Sequence, residues 1–132
     1  MKITAVNSDE FREQFRLVLQ QSECTSVRGM VYFWKSEAPI PWVIGESNIL
    51  YVGQTSRTLN DRHGGKRDFD IEVAYFSRFY RHVIKKYGPL TTEFKPADSP
   101  KRAEWEELKA YFEAHLEYPP LNRSVPSEPV MP

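Results

Sequence analysis

Phe11, Phe15, Val18 and Leu19 recur at helical spacing within "NSDEFREQFRLVLQQSE", and polar residues fill the other face. Ser8 stands where an N-cap belongs and acids follow it, so the pattern predicts a helix. The pattern then changes. "GMVYFW", 29–34, is a short run rich in β-formers, and "ILYVG", 49–53, is a second. The two are expected to pair antiparallel. Between them "KSEAPIPWVIGESN", 35–48, carries two prolines and a glycine and predicts a long loop or an extended hairpin tip.

"RTLNDRH" begins a helix that "GGKRD" is expected to interrupt. In "IEVAYFSRFYRHVIKKYG", Val73, Phe76, Tyr80, Val83 and Ile84 share one face, Lys85 and Lys86 suit the C-terminal end, and Gly88 can close it. "LTTEFK" predicts a third strand. The last helix is expected from Ser99 as N-cap and Pro100 at its first position, with Trp105, Leu108, the Lys109 stem, Phe112 and Leu116 as its buried face. The expected fold is α+β: a small three-stranded antiparallel sheet flanked by helices, with an added N-terminal helix. One domain is expected over 1–123. A Pro-rich tail, 124–132, is expected to be disordered.

Composition narrows the class. The chain has 132 residues, 40% apolar and 27% charged, which suits one globular domain. No run is apolar enough to span a membrane, and the N-terminus lacks the apolar core of a signal peptide, so a cytoplasmic protein with no membrane partner is expected. The single cysteine, Cys24, excludes an internal disulfide. Net charge is zero but unevenly spread. From Arg57 to Lys86 eight basic residues face four acids, leaving +4 in the centre and −4 elsewhere. A basic centre of this kind suits a polyanion.

The residues in order then form a pattern: "MVY" ending at Tyr32, "YVG" from Tyr51 to Gly53, Arg62, a helix with glutamates, and "PPLN" ending at Asn122. This series resembles the GIY-YIG nuclease superfamily, which includes homing endonucleases, some restriction enzymes and the nuclease half of a bacterial excision-repair subunit. The resemblance covers 29–122. It departs from the family pattern at Met30, where the first motif has glycine, at Gln54, where some members carry lysine, and in the length of the segment between the tyrosines.

The resemblance implies a DNA endonuclease using one divalent metal, Mg²⁺ or Mn²⁺, held by a glutamate. Catalytic roles are implied for Tyr32, Tyr51, Arg62, His63, Glu104 and Asn122. Substrate contacts are expected from Gly53, Gln54, Thr55, Arg57, Lys66 and Arg67. Arginine gives a phosphate a fixed cationic fork. Tyrosine, with an ordinary pKa of about 10, needs a neighbouring cation to act as a base at neutral pH. Tyr51, nearer Arg62, is favoured over Tyr32 for that role. Among the helical glutamates, Glu104 lies roughly 80° from the centre of the expected apolar face and Glu107 roughly 140°. A ligand belongs at the border of core and cleft, so Glu104 is preferred and Glu107 is second.

Other classes remain open. Met30 and Gln54 favour a catalytically silent nucleic-acid-binding domain of the same fold. The prolines favour a protein-interaction module. Trp42, Val43 and Ile44 make the insertion apolar enough to meet substrate or a second subunit, so a homodimer is compatible with it.

Overall fold

A computed structural model of the chain describes residues 2–122 and 127–130. The boundary expected at 123/124 lies outside them, as do tail residues 124–126 and 131–132. In chain order the elements are β1 (Lys2–Ile3), α1 (Ser8–Leu19), α2 (Ser22–Ser26), β2 (Met30–Pro41), β3 (Glu46–Thr55) and α3 (Leu59–His63). They continue with α4 (Lys66–Tyr75), a π-helical turn (Phe76–Tyr80), α5 (Arg81–Tyr87), β4 (Leu90–Pro96) and α6 (Pro100–His115). The chain is α+β, with helices flanking an antiparallel sheet.

The sheet has four strands in the order β1-β4-β2-β3, one more than expected. The extra strand pairs Lys2 and Ile3 with Thr91 and Leu90. Two residues are too short to show a period of two, so the sequence pattern could not reveal it. β2 is central. It faces β3 through Tyr32↔Gly53 and Trp34↔Tyr51, and β4 through Tyr32↔Phe94.

Of the two expectations for 35–48, a long loop or an extended hairpin tip, the structure shows the extended hairpin. β2 runs on to Pro41 and β3 starts at Glu46, so the hairpin tip is only 42–45, closed by the Trp42 N–H donating to the Gly45 carbonyl at 2.9 Å. The register shifts between Lys35 and Ile40 and again at the base of this arm, where Trp34 faces Tyr51 but Lys35 faces Ile49. Leu50 is the extra residue of this bulge. Bulges re-aim side chains, and here Leu50 and Tyr51 both pack on the same cluster despite being neighbours.

That cluster holds Phe11, Phe15, Val18 and Leu19 of α1, Phe69, Val73, Phe76 and Tyr80 beyond α3, and Met30, Tyr32 and Trp34 of β2. α1 is capped by the Asn7 side chain, which accepts from the Glu10 N–H at 2.9 Å, rather than by Ser8, which is already helical. The second long helix begins at Lys66, inside the expected interruption, with Gly65 at its N-cap. On the sheet's other face Val31, Phe33 and Val52 meet Leu108 of α6.

The buried side of α6 is also displaced from expectation. Leu108 and Tyr111 are buried, whereas Phe112 and Leu116 are exposed. With Glu104 they form an i, i+4, i+7 row, so the inward face is turned by roughly 80° from the predicted one. The aromatics misled the reading: Arg102 and Lys109 lie over the Trp105 ring, and Phe112 stacks on Tyr118 at 4.8 Å. Among the described residues no helix is long and apolar enough to cross a membrane.

Candidate active site

Glycine at 53 is explained by what lies on it. A Cβ there would sit 2.4 Å from the Tyr32 ring and 2.6 Å from its hydroxyl oxygen. Gly53 therefore lets the Tyr32 phenol lie flat over the backbone of β3. This is a steric role, different from the substrate contact expected of it. The Tyr32 hydroxyl lies 3.0 Å from His63 Nε2 at the end of α3. Tyr51, one strand over, has its ring centroid 6.1 Å from that of Tyr32, and the two side chains hydrogen-bond.

Burial divides these three groups. Tyr32 is 0% exposed and His63 4%, so neither meets solvent directly; Tyr51 is partly exposed. Burial pushes the Tyr32 phenol well above its ordinary pKa, with Tyr51 adding to the shift and Arg62 opposing it. The His63 imidazole is held down to about 4, first by burial and then by the neighbouring Arg62 charge. It is neutral at pH 7. It lies inside the core, where its described hydrogen-bond partner is the Tyr32 hydroxyl. Tyr51 is raised by burial first and by the Glu104 carboxylate second, while Arg62 and the Tyr32 hydrogen bond favour its phenolate.

Arg62, half-exposed, reaches Asp68 at 3.6 Å and acts electrostatically on both tyrosines. It also lines an open groove of about 510 Å³ with Gln54, Arg57, Asp98 and Lys101. Thr55 borders the same groove, but it is buried and its hydroxyl accepts the Arg57 N–H at 3.1 Å. Lys66 and Arg67 do not join them. Lys66 pairs with Asp70 at 2.9 Å beside a different groove, and Arg67 is exposed.

Glu104 is one helical turn beyond Lys101. Its carboxylate has no hydrogen bond or ion pair among the described residues, and partial burial raises its pKa. A half-buried anion without a partner is costly, and a hard cation with its own waters is a fitting companion, since Mg²⁺ seldom takes an all-protein cage. No group of three or more His, Cys, Asp or Glu side chains gathers among the described residues, which leaves one carboxylate as the donor set. Glu107 fits less well. It pairs with Lys95 at 3.4 Å, and Lys95 lies over Phe33 on the opposite sheet face.

Comparison with protein-family models, curated proteins and solved structures found no match. The site therefore stands on its own geometry. Asn122 completes it from behind. Its side-chain amide donates to the Val52 carbonyl at 2.9 Å, and its oxygen accepts the Val52 N–H at 3.0 Å. β3 is an edge strand, so these two bonds satisfy backbone groups that would otherwise face outward next to Tyr51.

One group escaped the sequence reading. Glu72 of α4 accepts from the Tyr80 hydroxyl at 3.1 Å and lines a small apolar cavity with Phe11 and Trp34. Burial pushes its carboxyl up to about 7. It also acts electrostatically on Tyr32 and Tyr51. The signal was present: Phe69, Glu72 and Phe76 are spaced i, i+3, i+7, which places a carboxylate on the apolar stripe.

Proposed function

We propose that this chain is a metal-dependent endonuclease of the GIY-YIG type that hydrolyses phosphodiester bonds in DNA. The observation that carries the reading is one convergence. Tyr51, the Tyr32–His63 pair, Arg62 and a Glu104 unpaired among the described residues, from β3, β2, α3 and α6, come within electrostatic reach of one another.

Hydrolysis adds water across a P–O bond. The water oxygen bonds phosphorus, its proton leaves, and the departing oxygen is protonated in turn. Tyr51 is the base in this scheme, because it alone of the hydrogen-bonded trio reaches solvent. With His63 neutral and protonated on Nε2, that N–H donates to the Tyr32 oxygen, and the Tyr32 O–H donates to Tyr51. The relay thus ends on the Tyr51 oxygen, which must carry negative charge: Tyr32 donates to it and His63 polarises that donor, a preorganised arrangement worth more inside a protein than in water. Arg62 donates to the non-bridging phosphate oxygens and lowers the cost of the Tyr51 phenolate. Glu104 would hold the metal, which when bound supplies Lewis-acid charge stabilisation. Arg57 and Gln54 bind the flanking backbone.

A catalytically silent nucleic-acid-binding domain is the second reading, favoured by the raised pKa of Tyr51 and by Gln54 in place of a lysine. A plasmid-nicking assay separates the two. Nicking that needs Mg²⁺ or Mn²⁺, stops with chelator and is lost in Glu104→Gln while DNA binding persists is the expected result. DNA binding without metal-dependent nicking would select the silent domain.

A further inference from the structure

A second groove, of about 490 Å³, lies between α1 and the α3–α4 corner, and Arg12, Arg16, Gln20, Asn60, Lys66 and Asp70 border it. Arg62 and Asn60 both belong to α3, so the two grooves lie on either side of this short helix. Their charge is similar. The groove at Arg62 carries Arg57, Arg62 and Lys101 against Asp98; the second carries Arg12, Arg16 and Lys66 against Asp70. Asp70 is shared by Arg12 at 3.1 Å and Lys66 at 2.9 Å, so one carboxylate answers two cations. Among the described residues Arg16 pairs with Glu13 at 3.6 Å, both side chains more than half exposed, a pairing worth little in water, and its guanidinium lies over the Phe69 ring at 5.4 Å. Arg67, adjacent in sequence, makes no ion pair among the described residues. α3 buries Leu59 and His63, and turns Asn60 and Asp61 outward between the grooves.

A helix with its side chains is about 10–12 Å across, and the major groove of B-form DNA is about 12 Å wide. We propose, resting on the nuclease reading above, that the two grooves take the two strands of a B-form duplex, with the outer face of α3 in the major groove between them. The cut strand follows Arg57 and Arg62, and the opposite strand follows Arg16 and Lys66. The added N-terminal helix is then part of the substrate surface. Duplex RNA is a poor substrate on this geometry, because its major groove is too deep and narrow to admit the helix.

The test uses full-length Glu104→Gln protein and labelled duplex DNA, the corresponding single strand and duplex RNA, followed by fluorescence anisotropy across a salt series. The expected order is duplex DNA tightest. Adding Arg16→Gln with Lys66→Gln should weaken duplex DNA and flatten the log–log salt slope by about 1.8, at about 0.9 for each phosphate no longer neutralised. Single-strand binding should stay unchanged. Arg12 is left in place because its ion pair joins α1 to α4. Arg16→Glu alone, at an exposed site, repeats the measurement should the double variant fold poorly, and should weaken duplex DNA selectively. Equal losses on single and double strands, no loss on either, or RNA duplex bound as well as DNA overturns the two-groove proposal alone. A parent protein that binds none of the three nucleic acids overturns the nuclease reading and this proposal with it.

Discussion

The two faces of the sheet are packed on different terms. Toward α6, Val31, Phe33, Val52 and Leu108 bury only apolar atoms. Toward the other helices, the core takes in Tyr32, His63 and Tyr80, with the Glu72 carboxyl beside them. Tyr32 with His63 and Tyr80 with Glu72 are hydrogen-bonded in pairs there, which limits their desolvation cost without removing it, while the buried Trp34 Nε1 has no partner among the described residues. Burial still leaves its mark on them: Tyr32 and Glu72 are raised, and His63 is lowered. The apolar cluster under α6 thus contributes stability at no such cost, although the same helix carries the half-buried Glu104 and the buried Tyr111 hydroxyl, while the other face spends some of its stability to hold ionisable groups next to Tyr51. Perturbed groups gathered around Tyr51, with Glu104 of α6 among them, are what a reactive site requires.

The sharpest way to break this comparison is to remove one atom on the costly face. Tyr51→Phe deletes the hydroxyl at the exposed end of the hydrogen-bonded chain. The expected outcome is a nicking rate lower by about 10²–10³, with a melting temperature close to wild type. If melting falls sharply while the rate holds, the hydroxyl is structural and the two faces are not specialised.

Leu108→Ala is the converse experiment. Leu108 is 0% exposed at the centre of the apolar cluster, and such truncations cost about 2–5 kcal/mol. Denaturant unfolding should show that loss, and the rate per folded molecule should match wild type. A large fall in that specific rate would mean that α6 packing also sets Glu104 in position.

A smaller effect depends on pH. Glu72 ionises near 7 in the folded protein against about 4.5 ordinarily, so the stability it contributes is fully present below about 4.5 and is lost as pH rises through 7. His63 runs the other way: its contribution is present above about 6.5 and lost as pH falls through 4. Glu72→Gln removes the first dependence and keeps the second. The stability gap between variant and wild type should therefore change by on the order of 2–3 kcal/mol in the variant's favour from pH 4.5 upward through 7. Urea titrations at several pH values check this, and a gap independent of pH would show that Glu72 is solvated.

How much of this was legible in the sequence depends on the kind of signal. α1, the strands around Tyr32 and Tyr51, and the start of α6 at Pro100 were readable, because spacing, β-branching and proline act locally. The inward side of α6 was not. Trp105 and Phe112 carry the hydrophobicity of a core, yet cations and Tyr118 cover them at the surface, a tertiary outcome that periodicity cannot foresee. The expectation of Glu104 over Glu107 came from a face that proved misplaced; in the structure Glu104 lies on the Leu108–Tyr111 row, and Glu107 is tied to Lys95. The burial of His63 was equally hidden, since nothing beside it in the chain shows that Phe15 and Trp34 will close around it.

The hairpin arm offers the smallest test and concerns a region on neither face. From sequence its apolar residues are expected to meet substrate or a second subunit, and the structure divides them. Trp42 is partly buried and, with Ser47, lies beside the Tyr111 hydroxyl, whereas Val43 is 95% exposed. Between them Ile44 offers its carbonyl to the Nδ1–H of His115 at 2.9 Å, fastening the tip to the end of α6. His115→Ala should cost about 0.5–1.5 kcal/mol, the net worth of one such bond, read by thermal melting. Val43→Ser should leave stability within about 0.5 kcal/mol, as expected for an exposed side chain. If the tip contacts substrate or a second subunit, Val43→Ser should nevertheless alter the cleavage pattern or the sedimentation behaviour. If both stay the same in a folded, active protein, Val43 has no recognition role and the arm is a structural strut held by Trp42 and His115.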